Sequence, residues 1–212
     1  VAGEVAVVVG VRRRRRHADT GPKYKGRYLG KTNVPLAAGS FEQAHALAPM
    51  LRTFSVGCCW SSPMRRALQT AQAATEGLDL SLQIDDDLRE VDMGYWEGKT
   101  FAEIAADWPK EVHAWSELSD DFQFPGGEVV GGFLARVRAA ADRLAALDCP
   151  VALAISHGGV IRTMICYLLG LESKSYLLFK IKTASITVID LFGPEAAAAG
   201  QRGILSGLNL EP

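Results

Sequence analysis

The sequence predicts an α/β fold with three layers (α/β/α), a mostly parallel central sheet and a small cap insertion. Short apolar runs rich in β-branched residues alternate with longer helical segments, an order typical of a parallel sheet covered by helices. Two of these runs, 5–9 and 150–155, are apolar at nearly every position, as in strands buried on both faces. Residues 94–128 interrupt the alternation with an aromatic-rich segment bounded by Gly and Pro, which we interpret as the cap.

The first half of the chain is expected to contain two strands and two helices. The predicted elements are strands over 5–9 and 55–60 and helices over 41–51 and 64–76. Ser40 is available as the N-cap of the first helix, and Pro63 favours initiation of the second. Residues 21–34 are rich in Gly, Lys and Tyr and predict a loop.

The second half is expected to close the sheet. The predicted elements are a helix over 133–147, a strand over 150–155, a helix over 160–169 and closing strands over 186–191 and 203–210. Gly170 is expected to end the second of these helices.

The acidic run 85–87 is interpreted as a solvated turn despite its resemblance to a metal site. The tryptophans of the cap are expected to form its core rather than a stacking platform: Trp96, Trp108 and Trp115.

Length and composition argue against a disulfide scaffold, a nucleic-acid binder and a zinc protein. The 212 residues carry 23 Lys and Arg against 24 Asp and Glu, a net charge of −1, and 48% are hydrophobic. We expect a single domain over 1–212 that needs no disulfide or structural metal. The near-zero charge argues against a nucleic-acid partner. The four cysteines include no C-x-x-C pair, so no zinc site is predicted.

The sequence also predicts the compartment. No apolar run is long enough for a membrane helix. The basic run 12–16 follows the apolar N-terminal segment instead of preceding it, which is the wrong order for a secretory signal. We therefore expect a cytoplasmic protein with no membrane partner.

Imidazole and guanidinium groups follow three of the predicted strands. His17 follows the first strand, Arg65 and Arg66 open the helix after the second, and His157 follows the strand over 150–155. Because the carboxyl ends of strands form the active-site edge of an open α/β sheet, we expect these groups to meet there. Each alone is compatible with a tight turn or a solvated helix face. Together they predict a phosphate site, because guanidinium groups and helix N-termini bind phosphate well.

Six blocks of sequence, in order, resemble the histidine phosphatase (phosphoglycerate mutase-like) superfamily. Arg16-His17-Ala-Asp-Thr20 is similar to the family's R-H-G-E-T signature, with Ala18 in place of glycine. The other blocks are Gly26-Arg27 with Pro35-Leu36 and Gln43-Ala44, SSPMRRALQTA at 61–71, LREVDMGYWEG at 88–98, PGGE at 125–128 and SHGGVIR at 156–162. The resemblance covers the chain from about Arg16 to Leu169. It implies metal-independent phosphomonoester hydrolysis through a phosphohistidine.

The resemblance implies a role for individual residues. His17 would be the nucleophile that attacks phosphorus, and Glu90 would protonate the leaving alkoxide and then activate water. Three residues would surround the phosphoryl oxygens, where other phosphotransferases use Mg²⁺: Arg16, Arg66 and His157. Two residues would contact phosphate or substrate: Arg27 and Thr20. No cofactor or metal is implied, and the expected partner is a small phosphorylated metabolite.

The resemblance is closer to phosphatases than to mutases. Mutases of the family read E-R-x-Y-G at the acid, whereas this chain reads Glu90-Val-Asp-Met-Gly94 and continues into a W-E-G block. Residues 26–36 and 179–191 look like those of α-ribazole phosphatases of the cobalamin pathway. Two other hypotheses stay open: a phosphoglycerate mutase-type isomerase, and a non-catalytic phosphate-binding domain, the latter prompted by Ala18 and the arginine run.

Overall fold

Six strands in the described part of the chain form one central sheet. The computed structural model describes residues 4–9 (backbone only), 26–117, 119–192 and 202–212. The strands are β1 (Glu4–Val9), β2 (Cys58–Ser61), β3 (Leu82–Ile84), β4 (Val151–Ile155), β5 (Ser185–Leu191) and β6 (Gly203–Leu210). Their order is β3-β2-β4-β1-β5-β6. The first four pair in parallel, and β5 is antiparallel to both β1 and β6. The predicted α/β class with a mostly parallel sheet is confirmed.

Helices cover both faces of this sheet. They are α1 (Ser40–His45), α2 (Ala48–Thr53), α3 (Arg65–Ala74), α4 (Phe101–Asp107), α5 (Pro109–Ser116), α6 (Val130–Ala145) and α7 (Gly158–Leu168). Alternate residues of β4 point to opposite faces, as the pleat requires. Leu153 and Ile155 belong to the apolar cluster with α2 and α3, whereas Ala154 belongs to the cluster with α6 and α7. The chain is therefore a three-layer α/β/α structure.

The predicted helix over 41–51 is wrong, because the structure divides it into α1 and α2. Pro49 lies four residues after His45, and a proline within a helix clashes with the carbonyl four residues earlier and lacks the N–H that would bond to it. The N-cap of α1 is Gly39, and Ser40 is instead the first helical residue, where it is buried.

Three other element starts differ from the prediction. The strand expected from residue 55 begins only at Cys58, because Ser55 has a φ of 53°, in the left-handed region that strands do not use. Met64 is the N-cap of α3, so Pro63 precedes the helix. The strand β3 was not predicted, and α6 begins three residues earlier than expected. The remaining predicted elements agree closely with α7, β4, β5 and β6.

Residues 94–128 are organised around buried aromatic rings. Trp96 is fully buried, and its ring lies edge-on to Trp115 and Phe124, with centroids 5.5 and 5.4 Å away. The same apolar cluster includes residues of α6 and α7. The tryptophans are thus packed in a core, and the function of this segment as a cap stays a prediction.

The acidic run 85–87 is held by a cation from α6. Asp85 accepts a hydrogen bond from the backbone N–H of Asp87 (2.9 Å), and Arg143 donates to both carboxylates at 2.8 Å. No group of three or more His, Cys, Asp or Glu residues suited to a metal ion occurs in the described part of the chain. No helix within the described ranges has both the length and the apolarity needed to cross a membrane.

Candidate active site

The carboxyl ends of β2 and β4 place a serine against a histidine. Ser62 follows β2 and donates its backbone N–H to the carbonyl of Ile155, the last residue of β4 (2.9 Å). The Oγ of Ser62 then lies 2.8 Å from Nε2 of His157. His157 is completely buried, so its ring is held in one place by the two strands that carry the pair.

Arg66 brings a buried cation to the same edge of the sheet. It lies in the first turn of α3, and its two terminal nitrogens donate to the carbonyls of Thr32 and Gly30, each at 2.8 Å. Its Nε has no hydrogen-bond partner among the described residues. Burial lowers the pKa of Arg66 to about 10, while Glu90 and Glu97 act to raise it. The guanidinium remains charged at neutral pH, with donors left for an anion.

Glu97 fixes the loop that holds Arg66. Its carboxylate accepts hydrogen bonds from the backbone N–H groups of Gly30 (3.0 Å), Lys31 (2.8 Å) and Thr32 (3.2 Å). A Cβ on Gly30 would lie 2.1 Å from the carbonyl oxygen of Val91, so this loop requires glycine there. Glu97 belongs to the W-E-G block, yet no role for it was predicted from the sequence.

Glu90 is buried beside the N-terminus of α7. One carboxylate oxygen accepts a hydrogen bond from the backbone N–H of Gly159 (3.0 Å), and the other accepts one from that of Val91 (3.1 Å). A Cβ on Gly159 would lie only 2.4 Å from Oε1 of Glu90. The second glycine of the S-H-G-G block therefore leaves the space that the carboxylate occupies.

Arg136 of α6 holds the segment that carries Glu90. It donates to the carbonyls of Asp87 (2.8 Å), Arg89 (2.7 Å) and Glu90 (3.2 Å), and forms a two-point pair with Glu128 at 2.8 and 3.0 Å. It is therefore a positioning residue for Glu90. The sequence prediction missed it, because Arg136 occurs on an amphipathic helix where a basic residue is ordinarily solvated. Its ion-pair partner Glu128, in the P-G-G-E block, was the one feature of the sequence that could have indicated Arg136.

The structure brings three predicted site residues together at the carboxyl end of the sheet. Arg66 interacts electrostatically with Glu90 and with His157. Arg27 instead donates to the carbonyl of Gly98 (2.7 Å) and to Glu103 (3.1 Å), and its role as a substrate contact stays a prediction. The remaining predicted site residues lie outside the described residues: Arg16, His17 and Thr20.

Burial makes His157 a neutral group in the folded protein. Burial itself, and then the positive charges of Arg66 and Arg136, hold the pKa of His157 well below its ordinary value of 6.5. The unfolded chain therefore binds a proton at this histidine over a pH range in which the folded chain does not. Stability rises with pH wherever the unfolded state binds more protons.

We expect the free energy of unfolding to fall as the pH is lowered from 7.5 to 5, with a contribution from His157 of up to about 1.4 kcal/mol per pH unit below pH 6.5. In urea denaturation across this range, the free energy of unfolding should fall less steeply with decreasing pH for His157→Gln than for the wild type. His113→Gln, which removes an exposed histidine from α5, is the control. If the free energy of unfolding depended equally on pH in His157→Gln and in the wild type, the lowered pKa of His157 would be contradicted.

Comparison with known proteins finds relatives of similar sequence. A bifunctional protein of Mycobacterium tuberculosis is 33% identical over 187 residues, which are 86% of this chain and 50% of the relative, so the chain spans about half the length of that protein. Phosphoserine phosphatase 1 of Hydrogenobacter thermophilus is 28% identical over 177 residues, 83% of this chain and 84% of the relative.

A solved structure is similar to this chain over almost its whole length. The alpha-ribazole phosphatase from Shigella flexneri superposes with a TM-score of 0.81 at 25% identity, over 97% of this chain and 96% of that one. The family profile described as histidine phosphatase superfamily (branch 1) matches residues 15–199. The chain, whose strand ends bring Arg66, Glu90 and His157 together, belongs to the histidine phosphatase superfamily.

Proposed function

We propose that this protein is a metal-independent phosphomonoester hydrolase that acts through a phosphohistidine on a small phosphorylated metabolite. The observation that carries the proposal is the buried grouping of Arg66, His157 and Glu90 at the carboxyl end of the sheet. It combines a cation for phosphoryl oxygens with a carboxylate able to move a proton. Two relatives named as phosphatases support it, and residues 94–128 would form a cap over the site.

In the proposed mechanism, His17 attacks the phosphorus atom of the ester and the bond from phosphorus to the leaving oxygen breaks. Glu90 donates a proton to that oxygen, so the product leaves as an alcohol. Arg66, Arg16 and His157 stabilise the charge on the three phosphoryl oxygens. Glu90, now ionised, accepts a proton from water as the water attacks phosphohistidine. This step releases inorganic phosphate and restores both His17 and the protonated acid.

The finer proposal is that the substrate is α-ribazole 5′-phosphate. It rests on the resemblance of residues 26–36 and 179–191 to α-ribazole phosphatases, and the name of the Shigella flexneri structure supports it. We expect the protein to release phosphate from α-ribazole 5′-phosphate more efficiently than from other monoesters. Efficient cleavage of other monoesters without cleavage of this one would exclude the finer proposal and leave the broader one intact.

The broader proposal is tested by phosphate release from p-nitrophenyl phosphate in excess EDTA. We expect undiminished turnover, and rapid quenching with ³²P-labelled substrate should trap a phosphoryl enzyme that is labile in acid and stable in alkali. Turnover that EDTA abolishes would overturn metal independence. Absence of both turnover and label would overturn the hydrolase and leave the isomerase and the phosphate-binding domain, which phosphoglycerate interconversion then separates.

A further inference from the structure

A cavity lies next to the segment that carries Glu90. It has a volume of about 270 Å³, and Glu90 and Gly159 form part of its wall. Most of its described lining is aromatic or aliphatic and comes from residues 94–128, α6 and the 3₁₀ helix Ser173–Leu178. The principal apolar side chains are Trp115, Phe124, Phe133, Leu134, Tyr176 and Leu177. A group seated here would lie next to the residue proposed as the proton donor.

The described lining of the cavity offers little to a charged leaving group. Glu90 and Arg162 are the two charged side chains among its described lining residues. Arg162 already donates through Nε to the carbonyl of Phe179 (2.8 Å), and its guanidinium lies 5.8 Å from the centre of the Tyr176 ring. Moving a charged group from water into such an apolar space is costly unless it is paired.

We propose that this cavity holds the alcohol part of the substrate and selects uncharged aromatic or bulky aliphatic phosphomonoesters. It disfavours esters whose alcohol part carries a carboxylate or an ammonium group, such as phosphoserine and 3-phosphoglycerate. The volume of about 270 Å³ lies just below the usual range of ligand sites. This inference rests on the proposed hydrolase activity and names the class of substrate for the same site.

The test compares esters of primary alcohols, so that the leaving groups differ little in chemical reactivity. They are 2-phenylethyl phosphate, ethyl phosphate, O-phosphoserine and 3-phosphoglycerate. We expect kcat/KM for the phenylethyl ester to exceed that for the ethyl ester by about tenfold or more, and to exceed those for both charged esters. Equal values for the phenylethyl and ethyl esters would overturn the proposal. Preference for a charged ester would also overturn it, and would indicate that Arg162 binds a carboxylate.

Two adjacent leucines provide a matched pair of variants. Leu177 lines the cavity and is 64% exposed, whereas Leu178 is 80% exposed and does not line it. Neither is a core residue, so both serine variants should fold. We expect Leu177→Ser to lower kcat/KM for the phenylethyl ester by about three- to tenfold and to lower that for the smaller ethyl ester less. Leu178→Ser should change neither value. Equal effects of the two variants would overturn the role of Leu177.

Failure of this inference is distinct from failure of the proposed function. Hydrolysis of all four esters in EDTA without the expected preference would leave the hydrolase in place and remove the selectivity. No hydrolysis of any ester, together with no acid-labile phosphoryl enzyme, would overturn both.

Discussion

Replacing His17 by alanine is expected to reduce phosphate release to the background rate, a loss on the order of 10⁴-fold or more, because the variant lacks the atom that forms the bond to phosphorus. The measurement is release of p-nitrophenol from p-nitrophenyl phosphate in excess EDTA, with ³²P labelling of the enzyme in parallel. Both turnover and acid-labile label should disappear together.

The control for this variant is His113→Ala, because His113 is exposed on α5. It should retain wild-type turnover and labelling. Far-ultraviolet circular dichroism of His17→Ala should match that of the wild type, which excludes unfolding as the cause. Turnover that survives in His17→Ala would contradict the assignment of the nucleophile. Label that survives without turnover would place the phosphoryl group on another residue.

Replacing Glu90 by glutamine is expected to lower kcat by about 10²- to 10⁴-fold, the usual contribution of a general acid and base. The amide keeps the shape of the carboxylate and one acceptor oxygen for the backbone N–H of Gly159 or Val91, but it cannot move a proton. The loss should depend on the ester. p-Nitrophenolate leaves without help from an acid, so the first step of Glu90→Gln should be less impaired with p-nitrophenyl phosphate than with 2-phenylethyl phosphate.

The second step supplies an independent measurement on the same variant. Hydrolysis of phosphohistidine still requires a base, so Glu90→Gln should accumulate more labelled enzyme with p-nitrophenyl phosphate than the wild type does. Glu103→Gln, which alters a half-exposed carboxylate in α4, should behave as wild type. An equal loss with both esters and no accumulated label would contradict a proton-transfer role for Glu90.

The strands and helices that position the site could be predicted because their signals are local. The run before Ser156 is apolar at every position, and β4 is buried at every position. The predicted element boundaries were wrong where a single backbone feature interrupts or delays an element. These features are the proline in α2 and the positive φ of Ser55. Strand β3 has three residues and no buried position. Apolar and polar residues alternate from Leu78 to Ile84, a signal for a strand that the prediction did not use.

The site was only partly predictable for a related reason. Arg66, Glu90 and His157 occur in recognisable blocks, so the sequence indicated them individually. Glu97 and Arg136 act on backbone atoms far away in the chain, 67 residues distant for Gly30 and 49 for Asp87. Hydrogen bonds of this kind depend on how the layers pack, and no local pattern of residue types predicts them. The backbone segments that they hold are neither strand nor long helix.

Arg136 has a consequence for how the protein responds to stress. The segment around Glu90 is fixed largely from outside, by one guanidinium on α6 that binds three of its carbonyls. Leu88 and Val91 of the same segment lie in the apolar cluster with α6 and α7, so the segment and α6 are held together. On mild heating, a shift of α6 would move these three carbonyls, and with them the proton donor, as one unit.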